Sequence, residues 1–441
     1  MPPTIFPPTQ SSHLCLASSP KTFSILSYNI LLPNSQDGWW IRKNYPPSTP
    51  SASREWPHRS ALLQAKVRTE NPDIVCFQEA SEVSHETDHA WLSAAGYDYA
   101  VHKKGRMRNM TWWRRSELEL DTTEAFCKDR TLITPLKIKG EGGGVVWIVN
   151  CHLTAGTRAA DRRLRQLHDA LETVRKKGRG AGGGDHIVVC GDFNAEADVE
   201  SAAGKFLLEG EVDAGFMDGG AMVTSKTKRC FCGPMRNAYA DAYSPAPPPP
   251  TLVGPRLVSR LIREGGGKGA TPPSAITPTQ GLIEASRAIF FSYADSEDNS
   301  RMSRRAVETF LRDINGVATR GSESRKANEI LHGKEAEGGG AEGDVMFSQA
   351  DMLAVWIGEL EQGKYWGVAH DIHALSAGFG FPERLKEWDV VPAWYADGEE
   401  RGSEDELFLG LYDHVFHTGG LRCVGMSDHR ALKAVFRMGD D

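Results

Sequence analysis

The sequence predicts a mixed α/β domain that is interrupted by a helical insert, and three observations predict it. Between residues 23 and 251, short apolar strands alternate with amphipathic helices. A proline-rich run at 245–250 then marks a change to a helical, acidic composition with glycine-rich spacers. Strand-like sequence returns at 407–416 and ends at 431–436. The simplest arrangement is one α/β domain that holds an insert of about 140–150 residues.

The individual elements follow from hydrophobic periodicity. Runs of β-branched and aromatic residues predict strands, and apolar residues at helical spacing predict helices. The predicted strands are 23–29, 74–78, 111–114, 145–150 and 187–190, and the predicted helices are 58–70 and 159–176. Residues 1–21, rich in Pro, Ser and Thr, are predicted to be a disordered leader.

Composition narrows the class of protein. The chain has 441 residues, 40% hydrophobic and 25% charged, which is typical of a soluble globular protein. No apolar run approaches the ~20 residues that span a bilayer, and the leader lacks the pattern of a secretory signal. Several of the 8 cysteines fall in predicted core strands, which indicates reduced thiols and an intracellular, most simply cytoplasmic, protein. An organellar transit peptide stays open as an alternative because the leader lacks acidic residues.

Charge and cysteine spacing exclude two further classes. The formal net charge is −7, so a polyanionic partner must meet a local basic patch rather than a basic domain. Cys230 and Cys232 form a C-x-C pair without a second half, which does not predict zinc.

The tetrapeptide 191–194 is the strongest chemical signal. It follows the apolar run 187–190, and Gly191 lets the backbone turn where the predicted strand ends. Asp192 and Asn194 are two residues apart, so in an extended segment both side chains project from one face. A carboxylate and a carboxamide there suit general-base work and the holding of an oxyanion. Taken alone, the tetrapeptide is equally typical of a plain turn.

Acid, amide and imidazole side chains follow other predicted strands as well. Scaffolds commonly present functional side chains at such strand ends. The segments are Tyr28-Asn29, Gln78-Glu79, Asn150-Cys151-His152 and Ser427-Asp428-His429.

These segments, with Asp413, occur in an order that resembles the endonuclease/exonuclease/phosphatase superfamily. The resemblance covers residues 22–253 and 405–437 and leaves 254–404 as the insert. It implies an α+β protein with the DNase I-like fold, a four-layer α/β/β/α sandwich.

The resemblance also implies roles for the matching residues. Glu79 would be the principal ligand of Mg²⁺ or Mn²⁺, with Asn29 beside it and Asp428 as a second acidic ligand. Asp192 would orient or deprotonate the attacking water. The implied catalytic residues are His152, Asp192, Asn194, Asp413 and His429, of which Asp413 would hold His429 and the others would contact water or phosphate. Asp241 matches a further family motif.

The stretch 101–117 interleaves basic residues with tryptophans. Trp112 and Arg114 are therefore candidate substrate contacts, since such a patch suits a phosphate backbone and a stacked base. Asp241 is a third candidate, because it matches a motif of the family that the chain resembles. The alternative is that the tryptophans pack in the core while the charges are solvated.

The segment 56–79, with Arg59, is similar to the deadenylase/nocturnin branch, so the resemblance implies an RNA exonuclease. Alternatives on the same fold are a DNA endonuclease and a phosphatase or phosphodiesterase of small nucleotides or lipid headgroups. A non-enzymatic, calcium-responsive interaction protein is a third class. No membrane partner is predicted.

Within the insert, residues 295–303 resemble an EF-hand loop, as in plant and algal members with calcium-binding modules. The candidate Ca²⁺ ligands are Asp295, Glu297, Asn299, Arg301 and Ser303. Ser300 replaces the usual turn glycine, and Ala306 stands where a bidentate Glu closes the site. A second degenerate loop leads from Glu342 to Asp351. The alternative is a helical insert that binds a protein partner or is purely structural.

Overall fold

The structure is a computed structural model. It describes residues 22–33, 43, 45, 49–140, 143–156, 158–178, 185–244, 250–255, 257–263, 276–295, 300–319, 321–338, 346–391, 407–419, 421–427 and 432–438. The predicted leader lies outside these residues.

Helices and strands are numbered in chain order. Before the insert they are β1 (Thr22–Asn29), α1 (Ser51–Arg54), α2 (Trp56–Glu70), β2 (Ile74–Ser81), α3 (His85–Asp88), α4 (Ala90–Ala94), β3 (Tyr97–Val101), β4 (Met107–Arg114), β5 (Leu118–Leu120), β6 (Phe126–Lys128), β7 (Thr131–Ile138), β8 (Val145–His152), α5 (Ala160–Lys177), β9 (His186–Asp192), α6 (Ala202–Leu208), β10 (Glu211–Val212), β11 (Met217–Asp218), β12 (Ala221–Met222), β13 (Lys228–Arg229), β14 (Arg236–Asn237) and α7 (Ala238–Tyr243). From the insert onward they are β15 (Leu252–Pro255), α8 (Val258–Leu261), β16 (Ile262–Arg263), β17 (Thr277–Pro278), α9 (Gln280–Tyr293), β18 (Arg301–Met302), α10 (Arg304–Asn315), α11 (Ser322–Gly338), β19 (Phe347–Ser348), α12 (Gln349–Leu360), α13 (Tyr365–Gly378), α14 (Arg384–Trp388), β20 (Leu407–Gly410), β21 (Asp413–His417), β22 (Leu421–Ser427) and β23 (Leu432–Met438).

Two large sheets organise the first and last parts of the chain. One has the strand order β22-β23-β1-β2-β4-β3, and the other has β14-β21-β9-β8-β7-β5 with β6 also on β7. In the first sheet β1 and β2 run parallel, and in the second β8 and β9 run parallel. The carboxyl ends of β1 and β2 therefore lie side by side in the first sheet, and those of β8 and β9 lie side by side in the second.

The sheets face each other across an apolar core. Ile25 and Cys76 of the first sheet pack with Ile148 and Val188 of the second. Helix α5 and α6 cover the outer face of the second sheet, and α2 and α4 cover that of the first. The predicted four-layer α/β/β/α sandwich is confirmed.

Gly191 is needed for a reason that the sequence did not reveal. Strand β9 continues through Gly191 to Asp192 instead of ending before the glycine. Gly191 has φ +127° and faces Cys151 of β8, and a Cβ at Gly191 would lie 2.1 Å from the Cys151 carbonyl oxygen. Only glycine fits there because the backbones of β8 and β9 approach so closely.

We expect Gly191→Ala to lower the free energy of unfolding by about 2–4 kcal/mol, measured in urea, because strain and a backbone clash add. Gly96→Ala is the matched control, since Gly96 also has a positive φ, +90°, but nothing lies within 4 Å of its Cβ position. Equal losses in the two variants would contradict the importance of the close approach.

The insert enters and leaves through a two-stranded ribbon in which β15 pairs antiparallel with β20. Its helices enclose a hydrophobic core of their own, which includes Phe310 and Trp356 and lies wholly between residues 257 and 391. Strand β18 directly precedes α10, strand β19 directly precedes α12, and the two strands pair antiparallel. None of the helices that the structure describes is both long and apolar enough to cross a membrane.

The insert touches the sandwich close to the ends of β1 and β8. The buried ammonium of Lys43, in the segment between β1 and α1, lies 2.7 Å from Glu323 of α11 and 3.0 Å from Asp371 of α13. Residues after β8 also approach the insert, since a Cβ at Gly156 would lie 4.0 Å from the carbonyl oxygen of Gln362. The insert thus borders the end of the sandwich where the sequence predicted chemistry.

Candidate active site

The sequence-predicted residues Asn29, Glu79, His152 and Asp192 meet at one end of the sandwich. Asn29 and Asp192 end β1 and β9, His152 ends β8, and Glu79 lies near the end of β2. Because β1 and β2 are parallel, as are β8 and β9, all four side chains are delivered at carboxyl ends of strands. The two sheets supply two residues each.

A β-bulge in β2 orients Glu79. The register between β2 and β4 shifts between Phe77 and Ala80, and Glu79 has φ +65°. Regular alternation would send Gln78 and Glu79 to opposite faces of the sheet. With the bulge, both side chains contact residues of the facing sheet.

One amide joins the two carboxylates of the site. Asn29 Nδ2 lies 3.1 Å from Glu79 Oε1 and 2.9 Å from Asp192 Oδ2, while Asn29 Oδ1 accepts from the Leu31 backbone N–H at 2.9 Å. His152 Nε2 lies 3.7 Å from Glu79 Oε1 and 3.9 Å from Asp192 Oδ2. The buried carboxylate of Glu79 and the half-buried carboxylate of Asp192 therefore both lie close to one imidazole.

The tetrapeptide 191–194 forms a tight turn around Asp192. The Asn194 backbone N–H donates to Asp192 Oδ1 at 2.8 Å, and Asn194 itself has φ +51°. The Asn194 side-chain amide donates to the Leu153 carbonyl at 3.1 Å. Asp192 Oδ1 and Oδ2 are thus both oriented, one by Asn194 and the other by Asn29.

Arg59 supports the loop behind Glu79. Its guanidinium donates to the backbone carbonyls of Ile30 and Leu31, and the next residue, Leu32, donates its N–H to Glu79 Oε2 at 3.3 Å. Leu31 has φ +51°. Burial lowers the pKa of Arg59, with nearby tyrosines and Glu79 opposing the shift. Leu31, Glu79 and Asn194 all hold sparsely populated backbone conformations, which cluster at functional sites.

Asp413 lies next to Asp192, because β21 and β9 pair these two residues directly. Burial, together with the charge of Asp192, raises the pKa of the Asp413 carboxyl well above its usual range. Asp413 Oδ1 is buried and has no hydrogen-bond partner among the described residues. Asp428 and His429 lie outside the described residues; the next described residue, Leu432, pairs with Ser27 of β1.

Buried amides that the sequence did not single out connect the two sheets behind the site. Gln78 Nε2 lies 2.9 Å from Asn150 Oδ1, and Asn150 Nδ2 donates to the carbonyls of Phe77 and Met110. The Asn109 side chain donates to the Asn150 carbonyl at 2.8 Å. The sequence alone assigns no role to Gln78 and Asn150 beyond their place next to Glu79 and His152. An amide within a buried strand nevertheless indicates a hydrogen-bond partner in the core.

We expect Asn150→Ala to lower the free energy of unfolding by about 2–4 kcal/mol, because the change removes the bond to Gln78 that joins the two sheets and the amide donor to the buried carbonyls of Phe77 and Met110. Urea unfolding measures the difference. Gln64→Ala, on the surface of α2, is the control and should change stability by less than about 0.5 kcal/mol. A small loss for Asn150→Ala would contradict the bridging role.

Three predicted substrate contacts lie away from the cluster of Glu79, Asn29, His152 and Asp192. Trp112 is 1% exposed and packs with Tyr99 and His89 on the outer side of the first sheet. Arg114 lies at the opposite end of β4 from Glu79, where it binds Asn71 and Tyr97. The alternative of buried tryptophans therefore holds for Trp112.

Asp241 is the third. It bonds to Arg236 at 2.6 Å and to His417 Nε2 at 3.0 Å. His417 pairs with Val188 in β9, four residues before Asp192 along the strand. Asp241 therefore stabilises the attachment of α7 and lies away from the site.

The candidate calcium residues are only partly described. Both carboxylate oxygens of Asp295 accept from Ser303, which also caps α10 through the Ala306 N–H. Arg301 pairs with Ser348 in the β18–β19 ladder, and Glu297 and Asn299 lie outside the described residues. In the second loop, Asp351 accepts from Ser348 within the capping box of α12 and also binds Lys334.

The donor chemistry at the Glu79 end fits a hard divalent cation. Glu79 is 8% exposed, and its carboxylate lies near that of Asp192 with one neutral amide between them. Such a like-charged pair is stabilised by a cation, and carboxylate oxygen is what Mg²⁺ prefers. Within the described part of the chain no three His, Cys, Asp or Glu side chains are arranged to hold a metal ion by themselves.

The sequence pattern of the Endonuclease/Exonuclease/phosphatase family matches residues 26–433, nearly the whole chain. With this fold and this cluster, the match defines the class: the chain belongs to the Endonuclease/Exonuclease/phosphatase family. The class of enzyme predicted from the sequence, phosphoester hydrolases, is confirmed at the level of the family.

The individual proteins that the chain resembles share only a small part of its sequence. The CCR4-Not complex 3'-5'-exoribonuclease subunit Ccr4 of Saccharomyces cerevisiae is 24% identical over 249 residues, covering 46% of this chain and 29% of the relative. The match thus spans less than a third of that relative's length. Among solved structures, ANGEL2, a 2',3'-cyclic phosphatase, in complex with adenosine-2',3'-vanadate is 15% identical with a TM-score of 0.46, over 95% of this chain and 96% of that one. The human Nocturnin catalytic domain is 21% identical with a TM-score of 0.33, over 43% and 68% of the two chains.

Proposed function

We propose that this protein is a metal-dependent phosphodiesterase, and specifically an RNA exonuclease of the deadenylase type. The observation that carries the proposal is the convergence of Glu79, Asn29, His152 and Asp192 from both sheets on one point. The similarity to a 3'-5'-exoribonuclease supports the choice of RNA.

Asp192 is the proposed general base. Its two oxygens are fixed by Asn29 and Asn194, so a water bound to the carboxylate would be held in one orientation. The water loses a proton to Asp192 and its oxygen bonds to phosphorus, while the ester P–O bond breaks and the leaving oxygen takes up a proton from solvent. His152, Asn194 and His429 are the proposed donors to the phosphate oxygens as negative charge develops.

Asp413 is proposed to hold His429. Its buried carboxyl has an oxygen without a partner among the described residues, and a carboxylate commonly fixes the tautomer and orientation of a catalytic histidine.

Glu79, Asn29 and Asp428 are the proposed residues that hold Mg²⁺ or Mn²⁺. The bound ion would supply neutralisation of charge on the phosphate. The backbone of Leu32 and the amide of Asn29 already orient the Glu79 carboxylate for that task.

A basic turn supports a polyanionic substrate. Lys103, Lys104 and Arg106 lie in the exposed turn between β3 and β4, and Arg106 accepts the N–H of Glu82 at its carbonyl. Because Ala80 and Ser81 pair with the start of β4, this turn lies at the Glu79 end of the sheet. Exposed cations beside a phosphoesterase site suit a chain of phosphates.

The test uses 5′-labelled oligo(A), duplex DNA with an abasic site, and NADPH, each with Mg²⁺ or with EDTA. We expect a ladder of shortened oligo(A) that EDTA abolishes, and we expect Glu79→Gln to lower the rate of shortening at least about 100-fold. Glu82→Gln is the matched control, since Glu82 is a half-exposed partner of Arg108.

Other outcomes separate the alternatives. Cleavage of NADPH alone would favour a small-nucleotide phosphatase or phosphodiesterase, and nicking of the abasic duplex would favour a DNA endonuclease. Inactivity of the wild type on every phosphoester would favour the calcium-responsive interaction protein.

The insert is proposed to be a degenerate EF-hand pair that modulates activity through Ca²⁺ or a protein partner. The helix pairs α9/α10 and α11/α12, whose second helices are joined by the β18–β19 ladder, support this proposal. Calorimetric titration of the whole protein with Ca²⁺, at constant Mg²⁺, is the test. Heat that disappears in Asp295→Ala supports it, and an absence of heat at millimolar Ca²⁺ contradicts calcium binding.

A further inference from the structure

Two sulfur atoms outside the proposed active site lie unusually close together. The Sγ atoms of Cys230 and Cys232 are 3.1 Å apart, in the turn that connects β13 to β14. A disulfide bond is about 2.05 Å long, so the two sulfurs need to approach by only about 1 Å to be joined.

The backbone holds this pair in place. The Cys230 N–H donates to the Gly210 carbonyl at 2.8 Å, and the Gly233 N–H donates back to the Cys230 carbonyl at 3.2 Å. Gly233 has φ +70° and nothing lies within 4 Å of its Cβ position, so the outer side of the turn is open. Cys230 is 8% exposed and packs against the core beneath α6, whereas Cys232 is half-buried.

The chemistry of the pair differs from that of the core thiols. A hydrogen bond from the Cys232 thiol lowers the pKa of Cys230, and the same contact raises the pKa of Cys232. Burial raises the pKa of Cys76 and of Cys151 well above the usual range. Since the thiolate is the reactive species, the turn is where exchange is favoured.

We propose that Cys230 and Cys232 are a redox-active dithiol that exchanges with a low-molecular-weight disulfide, such as glutathione disulfide, and closes reversibly to an intramolecular disulfide. This site is independent of the proposed hydrolysis.

The exchange has two balanced steps. A cysteine thiolate of the pair attacks one sulfur of glutathione disulfide, whose S–S bond breaks and releases one glutathione thiolate. The second cysteine loses its proton, attacks the cysteine sulfur of the mixed disulfide, and releases the second glutathione. The two cysteines lose two electrons and two protons, and glutathione disulfide gains them as two thiols.

The experiment equilibrates the reduced full-length protein with mixtures of reduced and oxidised glutathione, followed by acid quench, alkylation in denaturant and peptide mass analysis. When oxidised glutathione is in excess, we expect the peptide that contains Cys230 and Cys232 to carry no alkyl groups and to be about 2 Da lighter than the unmodified dithiol peptide. Treatment with dithiothreitol should restore both thiols. The peptides of Cys76, Cys151 and Cys190 should stay alkylated.

Variants distinguish exchange within the pair from general oxidation. Cys232→Ser should stop at the glutathione adduct of Cys230, because no second thiol resolves it. Cys127, the partly exposed cysteine of β6, is the internal reference and should form an adduct at most. The proposal is overturned if both cysteines of the pair stay alkylated at the largest excess of glutathione disulfide, or if the buried cysteines oxidise to the same extent.

Discussion

Asp192→Asn lowers kcat for phosphoester hydrolysis by about 10²- to 10⁴-fold, the range expected for loss of a general base. Asparagine has nearly the shape of aspartate and keeps an oxygen for the Asn194 N–H, which lies 2.8 Å from Asp192 Oδ1. It cannot take a proton from water, so the loss falls on kcat rather than on KM. Steady-state hydrolysis of the best substrate at fixed Mg²⁺ measures the effect, and thermal unfolding shows that the variant is folded.

Asp241→Asn is the matched control. Asp241 is a carboxylate of α7 that is bonded to His417 of the second sheet, away from Asp192. We expect its kcat to stay within about twofold of the wild type. If the two variants lose activity equally, or if Asp192→Asn changes only KM, the role assigned to Asp192 is refuted.

The second large effect is on stability in acid and comes from His89. This side chain is fully buried among Phe77, Trp56 and Trp112, with ring centroids 5.2, 5.8 and 6.2 Å away. Neither ring nitrogen has a hydrogen-bond partner among the described residues. Burial lowers the pKa of His89 from 6.5 to about 3.

The sign follows from proton binding. Between pH 6.5 and about 3 the unfolded chain binds a proton at His89 that the folded protein refuses. Stability from this group is complete above pH 6.5 and is lost as pH falls, at about 1.4 kcal/mol per pH unit and up to ~5 kcal/mol in total.

His89→Leu removes this dependence by placing an apolar side chain of similar size in the same pocket. We expect the variant to be at least as stable as the wild type at pH 7, and to lose less stability between pH 6.5 and 4. Urea unfolding at several pH values measures the slope. His58→Leu, which replaces an exposed histidine of α2, should leave the slope unchanged. Parallel pH profiles for wild type and His89→Leu would disprove the assignment.

The sandwich could be predicted because its strands carry strong local signals. Strands β1 and β8 alternate between the inter-sheet core and the helix-covered faces, and their apolar runs were recognised within two residues of the observed ends. Asn29, Glu79, His152 and Asp192 were found because they follow such runs in the order of a known family.

What could not be predicted depends on departures from regular alternation. The bulge that turns Glu79 toward the facing sheet has no distinctive sequence, since Gln and Glu are ordinary residues with no preference for φ +65°. The sequence predicts that the strand ends before Gly191, because a close approach of two backbones leaves no mark in a single sequence.

The positions of the basic residues and tryptophans in 101–117 could not be predicted for a related reason. Basic residues and tryptophans adjacent in sequence alternate between faces and spread along a strand, so Trp112 enters the core and Arg114 reaches the far end of the sheet. The turn at Lys103 and Lys104 and the start of β4 at Arg108 stay at the Glu79 end.

The β15–β20 ribbon has a consequence for the order of folding. Pairing of Asp192 with Asp413 closes the second sheet around Asp192, yet the whole insert lies between these residues in sequence. The entropic cost of bringing Asp192 and Asp413 together falls by about 0.6 kcal/mol for each halving of the flexible chain between them. An insert that has folded around its own core takes most of that chain out of the flexible length in one step. If the insert folds first, its ribbon brings the two halves of the sandwich together before their strands meet. The insert would then act as a folding nucleus for the sandwich that encloses it.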